Sequence, residues 1–164
     1  MPLVVSTLQS ELVSIYTSGG DKGNPDPKKV GRDVAGAYFN YVSVGVDSGG
    51  SSFAGMPGKD TLGQKLGGIY GKEYTSGLLH AQDMAKEFDA CLQTFKTAWQ
   101  TVIVTTAGTM PLFSGLNGIF SSPNSDKAMF ARKFGMELAN FTMMAMVSGL
   151  IPGSPPVPYT GPIN

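Results

Sequence analysis

The chain has one cysteine, one histidine and one tryptophan in 164 residues, and only 15% of its positions are charged. A lone cysteine leaves no intrachain disulfide and implies no oxidising compartment. Cys91 falls beside an apolar seam, where a buried, inert thiol is expected. A lone histidine restricts any serine or cysteine triad to His80. Twelve basic and twelve acidic residues cancel, so nothing draws the chain to a nucleic-acid backbone or an acidic membrane. Long apolar runs are missing too. TVIVTTAGTMPLFSGLNGIF is broken by Gly108, Pro111 and Gly115. FTMMAMVSGLIPG falls short of the roughly 18 residues that a bilayer span needs. The start, MPLVVSTLQSELV, reaches Glu11 too early for a secretory signal.

Motifs that carry chemistry are absent as well. Gly58-Lys59 and Gly71-Lys72 are followed by Asp60 and Glu73, so neither offers the hydroxyl of a phosphate loop. The glycines at 63, 67, 68 and 71 make no dinucleotide fingerprint, and no Gly-x-Ser-x-Gly elbow occurs. His80, Asp83 and Glu87 share a helical stripe that a metal could use. One histidine without a ligand motif reads instead as part of a solvated, ion-paired face. Asn140-Phe141-Thr142 matches a glycosylation acceptor by chance, inside a helix. Tyr38, Phe39 and Tyr41 are not interleaved with basic residues, so a nucleic-acid platform is unsupported. No catalytic residue, cofactor, metal or small-molecule substrate is inferred.

What is present is helical patterning. Leu78, Ala81, Ala85, Phe88, Leu92, Phe95, Trp99 and Val102 recur at alternating steps of three and four. That seam predicts one long amphipathic helix over 74–107. Ser6 is placed to cap a helix over 7–17 with Leu8, Leu12, Ile15 and Tyr16 on its apolar face, ended by Gly19-Gly20. Asp26-Pro27 opens a second helix to Ser43, in which Gly31 and Gly36 either weaken the helix or admit another backbone. A charged, turn-rich connector over 21–29 precedes it. Residues 45–60 read as a flexible loop. Asp60 or Thr61 caps a short helix through Leu62, Leu66 and Ile69. The stretch 108–122 reads as irregular and too apolar to hang free. Asn124 or Ser125 caps a last helix over about 126–148, with a methionine-rich stripe whose expected role is core filling. The expected fold is all-α: a small bundle around one long central helix, with Gly-rich loops. Residues 1–149 form one helical domain, and 150–164 an extended, proline-rich arm.

Charge is placed unevenly. None lies between Lys96 and Asp126, and none follows Glu137. Surface of this kind suits a chain covered by partners, because interface cores are depleted in charge. The candidate interface is Leu112, Phe113, Ile119 and Phe120 with Pro155, Pro156, Pro158 and Tyr159. The first helix, VSTLQSELVSIYTSG, the helix with DVAGAYFNYVS and the uncharged tail GLIPGSPPVPYTGPIN together resemble small structural proteins encoded among the virion genes of contractile-tailed bacteriophages. The resemblance covers most of the chain in layout, and the first helix and the tail carry its specificity. It implies a virion component, in the tail or baseplate region rather than the head, made in the host cytoplasm, whose partners are other virion subunits or copies of itself. It carries over no catalytic residues. The expectation is a non-enzymatic assembly protein that needs no nucleic acid or membrane. The alternative is a soluble helical adaptor or inhibitor that binds one partner through its methionine-rich end.

Overall fold

A polar side chain just ahead of a helix accepts from the orphan N–H groups of the first turn, and three helices of this chain begin that way. The computed structural model describes residues 3–19, 26–99, 103–122 and 126–164. Asp26 accepts from Lys28 and Lys29 at the head of α2 (Pro27–Ser43). Ser76 accepts from Leu79 at the head of α4 (Gly77–Leu92). Asp126 accepts from Ala128 and Met129 at the head of α6 (Lys127–Met143). Each follows a shorter helix: α1 (Val5–Thr17), α3 (Lys59–Tyr70) and α5 (Thr109–Phe120).

The capped helices start at residues 27, 77 and 127, a spacing of 50. Their buried positions correspond at that spacing. Val34, Tyr38, Tyr41 and Val42 match Met84, Phe88, Cys91 and Leu92, then Phe134, Leu138, Phe141 and Thr142, and all are buried. The short helices share a second pattern, two leucines four apart followed by isoleucine and an aromatic. It reads Leu8, Leu12, Ile15, Tyr16, then Leu62, Leu66, Ile69, Tyr70, then Leu112, Leu116, Ile119, Phe120. The chain is one helical hairpin written three times. A single such unit leaves an apolar face open, and neighbours are needed to cover it.

The helices close into a ring, each packed against the next in sequence and α6 against α1. Side chains of the long helices meet at the centre. Tyr38 meets Phe88 edge to face at 5.2 Å, Phe88 meets Phe134 at 5.9 Å, and the Tyr38 hydroxyl pairs with that of Thr142 at 2.9 Å. Strands repeat the ring. β2 (Lys96–Thr97) pairs with β1 (Phe53–Gly55), the link out of the first repeat. β4 (Met146–Ile151) pairs with β3 (Ile103–Thr105), the link out of the second. Asp47 pairs with Ile163, and Val46 exchanges both backbone hydrogen bonds with Asn164. The end of the third repeat thus does for the first what each link does for its successor. β5 (Val157–Pro162) runs back along β4 to complete a three-stranded antiparallel sheet.

These observations correct the all-α reading. Two antiparallel sheets with five strands lie among the described residues, so the fold mixes α and β. Among the described residues there is no long central helix: α4 ends at Leu92, and the chain turns into β2. The seam misleads because Phe95 is buried as predicted, yet in a turn rather than a further helical step. The β-branched residues Ile103, Val104 and Thr105 form a strand, as such residues prefer. Residues 109–120 are helical, not irregular. The caps differ in detail. Ser6 lies inside α1, Gly58 precedes α3 without a side-chain bond, and α6 uses Asp126 and stops at Met143. Asn124, Ser125, Val102, Gly20 and 21–25 of the connector lie outside the described residues. Residues 150–164 carry the end of β4, the whole of β5 and the closing pairs with 46–47.

Candidate interaction surface

Three copies of one unit allow a comparison inside the chain: a feature present in one copy and absent from its sisters is not required by the fold. After α2, the chain reverses between Val46 and Ser52. At the corresponding place after α6, Met146 pairs with Pro162, and the ladder continues to Ile151 opposite Val157. The loop between the paired ends is ten residues longer in the third repeat, 147–161 against 47–51.

The root of this hairpin is anchored. The Tyr159 hydroxyl donates to the Asp47 carboxylate at 2.5 Å, and Asp47 also accepts from the N–H of Gly49 and Ser51. Asp47 is 2% exposed, so these donors stand in for water around a buried carboxylate. Burial, and then the bond to Asp47, pushes the Tyr159 hydroxyl up to about 12. Trp99 meets the Tyr159 ring edge to face at 5.8 Å. Gly49 and Gly149 make room for that ring, because a Cβ at either would come within 3 Å of it.

Beyond the root the hairpin is exposed and uncharged. Val157 is 54% exposed and Leu150 41%, and Pro152, Pro155, Pro156 and Pro158 are all at the surface. Across the sheet, Ile103 lies opposite Ser148, which lies opposite Thr160. The last two hydroxyls bond to each other at 3.0 Å.

The helices of the third repeat also expose apolar side chains. Met110, Met136, Met143 and Met146 are exposed. Their counterparts in the second repeat are Asp60, Lys86, Gln93 and Lys96, and in the first Ser6, Gly36, Ser43 and Val46. A fold that accepts three charged residues and a glutamine at these positions in one copy does not need methionine there in another. The stripe expected to fill the core therefore lies at the surface at Met129, Met136, Met143, Met144 and Met146. Between α5 and α6 is a groove of about 350 Å³, lined by Pro111, Glu137, Asn140, Phe141, Met143 and Met144.

The predicted interface residues divide. Leu112 and Ile119 are buried in the ring. Phe113 is partly buried against the core, and Phe120 stacks on His80 and Phe130. Tyr159 is spent on the hairpin root, whereas Pro155, Pro156 and Pro158 are exposed. Met110 and Ile103 escaped sequence reasoning, and the methionine-rich end entered it as a contact surface only in the alternative reading, with core filling expected first. The 50-residue correspondence with Asp60, Lys86, Gln93 and Lys96 is the signal that would have marked the methionines as exposed.

Elsewhere the chemistry is sparse. His80 is sandwiched between Tyr74 at 4.7 Å and Phe120 at 4.3 Å, not ion-paired on a wet face. Burial holds its pKa below the ordinary value, against the opposing pull of Asp83. Asp83 receives the Tyr74 hydroxyl at 2.7 Å and faces Lys72 at 3.5 Å. A wider groove of about 660 Å³ runs among α1, α2 and α3, with Glu11, Arg32, Asp33, Lys59 and Asp60 of both signs along it. Among the described residues, no group of three His, Cys, Asp or Glu could hold a metal ion, and no helix is long and apolar enough to cross a membrane. No family model, no curated protein and no solved structure matches the chain. Its class rests on its own geometry: a triplicated helical hairpin closed by shared strands, with one copy elaborated by an uncharged hairpin and exposed methionines.

Proposed function

We propose that the chain is a non-enzymatic assembly subunit that packs against other subunits through the surface of its third repeat. The observation that supports this is the internal comparison. Exposed Met110, Met136, Met143 and Met146 stand where the second repeat has Asp60, Lys86, Gln93 and Lys96. Exposed apolar area costs solubility, and a contiguous patch of it marks an interaction site. Methionine suits that task because its flexible, polarisable side chain adapts to a partner. The resemblance to virion proteins of contractile-tailed bacteriophages supplies the setting, the tail or baseplate region.

The test is incorporation. Met136→Lys together with Met143→Gln restores second-repeat residues at positions where the fold tolerates them. The variant is expected to fold normally and to fall at least about tenfold in purified virions, as measured by quantitative mass spectrometry, because a charge buried without a partner is costly. Wild-type incorporation by that variant would sink the reading.

A further inference from the structure

We propose that the exposed methionines of the third repeat are a reversible oxidation site for hydroperoxides, and that their sulfoxides keep the chain from its partner. The proposal rests on the assembly reading above and adds a control to it. The chain has nine methionines, and Met1 lies outside the described residues. Met56 and Met84 are buried, at 3% and 0% exposure. The other six, Met110, Met129, Met136, Met143, Met144 and Met146, are each at least 41% exposed, and all belong to the third repeat. Three of them recur every seven residues, at 129, 136 and 143, which sets them along one stripe of α6. The sister stripes read Lys29, Gly36, Ser43 and Leu79, Lys86, Gln93, so neither carries a thioether.

The reaction needs only an accessible sulfur. A sulfur lone pair attacks one oxygen of the hydroperoxide. The S–O bond forms as the O–O bond breaks, and the sulfur gives up two electrons. The proton of the transferred oxygen leaves with the departing hydroxide as water, or with an alkoxide as alcohol. Cys91, the remaining sulfur, is no competitor: it is buried and its thiol is pushed up to about 12, so little thiolate forms. A pair of sulfoxide reductases, one for each sulfur epimer, returns the thioether.

The product is polar where the thioether was apolar. The fold accepts that change, because the second repeat has Asp60, Lys86, Gln93 and Lys96 at four of these positions. The interface does not: a sulfoxide carried into a contact shaped for methionine loses its water without a donor to replace it. Oxidation therefore acts on association and leaves folding alone.

The purified full-length chain, treated with hydrogen peroxide, is followed by peptide mass spectrometry. The six should oxidise at least about tenfold faster than Met56 and Met84, with circular dichroism and the urea midpoint unchanged, and the reductase pair should return the mass. Oxidation of all eight at one rate, or loss of the fold once the six are sulfoxides, would overturn the proposal. In phage-producing cells exposed to peroxide, sulfoxide at the six should be at least about tenfold lower in chains from virions than in free chains of the same lysate. Equal content would overturn the oxidation control. Met136→Lys with Met143→Gln then separates the two readings. Exclusion of that variant leaves the assembly reading standing, whereas its normal incorporation, or a chain absent from virions, removes both.

Discussion

Single atoms decide much of the packing between α2 and α3. A Cβ on Gly31 would meet the Gly67 nitrogen at 2.3 Å and the Gly63 oxygen at 2.6 Å, both backbone. Gly31→Ala is therefore expected to cost about 1–3 kcal/mol or more through overpacking, seen as a lower urea midpoint. Gly36 has nothing within 4 Å of its virtual Cβ, so Gly36→Ala should stabilise by about 0.5–1 kcal/mol through helix propensity. His80 gives a pH signature. Its folded pKa is lowered by burial, so the unfolded chain takes up its proton first. That contribution to stability is fully present above about 6.5, the unfolded value, and is lost as pH falls towards the folded pKa. His80→Phe should flatten the urea-midpoint profile in that window, and an unchanged slope would refute the assignment. Burial pushes the Cys91 thiol up to about 12, so a thiol reagent should label it only after unfolding.

Elements stand or fall by what closes them. Tyr159→Phe removes the hydroxyl that Asp47 accepts and leaves a buried carboxylate short of a donor. The expected loss is about 1.5–3 kcal/mol, measured by thermal or urea unfolding. Beyond that root, the tip is dispensable to the fold, because the first repeat turns between Val46 and Ser52 without one. Replacing residues 150–158 by Asn-Gly joins the paired Gly149 and Tyr159 through a two-residue hairpin turn. This variant should unfold within about 1 kcal/mol of wild type and fall in purified virions, as measured by quantitative mass spectrometry. A collapse in stability would show the tip to be a structural element instead.

The helices form a closed ring, and closure brings Leu3 and Asn164 to neighbouring residues of the first repeat. Leu3 lies against the position a Cβ would take on Gly45, and Asn164 bonds to the adjoining Val46. A circular permutant that joins the ends and opens between Ala107 and Gly108, at the link between repeats two and three, should fold cooperatively, since the same interfaces re-form. Circular dichroism and urea unfolding check this; a broad or split transition would show that the repeats do not act as one unit.

Much of this was legible in the chain itself. Asp26-Pro27 and the apolar periodicity place α2 to the residue, because capping and helical spacing act over a few positions. The triplication was equally legible, in the leucine pattern at 8, 62 and 112. The heptad-like seam obscured it by running across the link between the second and third repeats. Strand pairing was not legible. Lys96-Thr97 and Ile103–Thr105 become strands only because residues some forty positions away lie alongside to take their backbone hydrogen bonds. Exposure was also beyond local reading. A methionine at helical spacing looks the same whether it faces the ring's centre, as Met84 does, or solvent, as Met136 does. Sequence determined α2, whose cap and hydrogen bonds close within a few residues, whereas the end of α4 and the helical state of α5 were set by what packs and pairs around them. Only the tertiary structure decided the sheets and the surface, because both depend on which distant segment lies opposite.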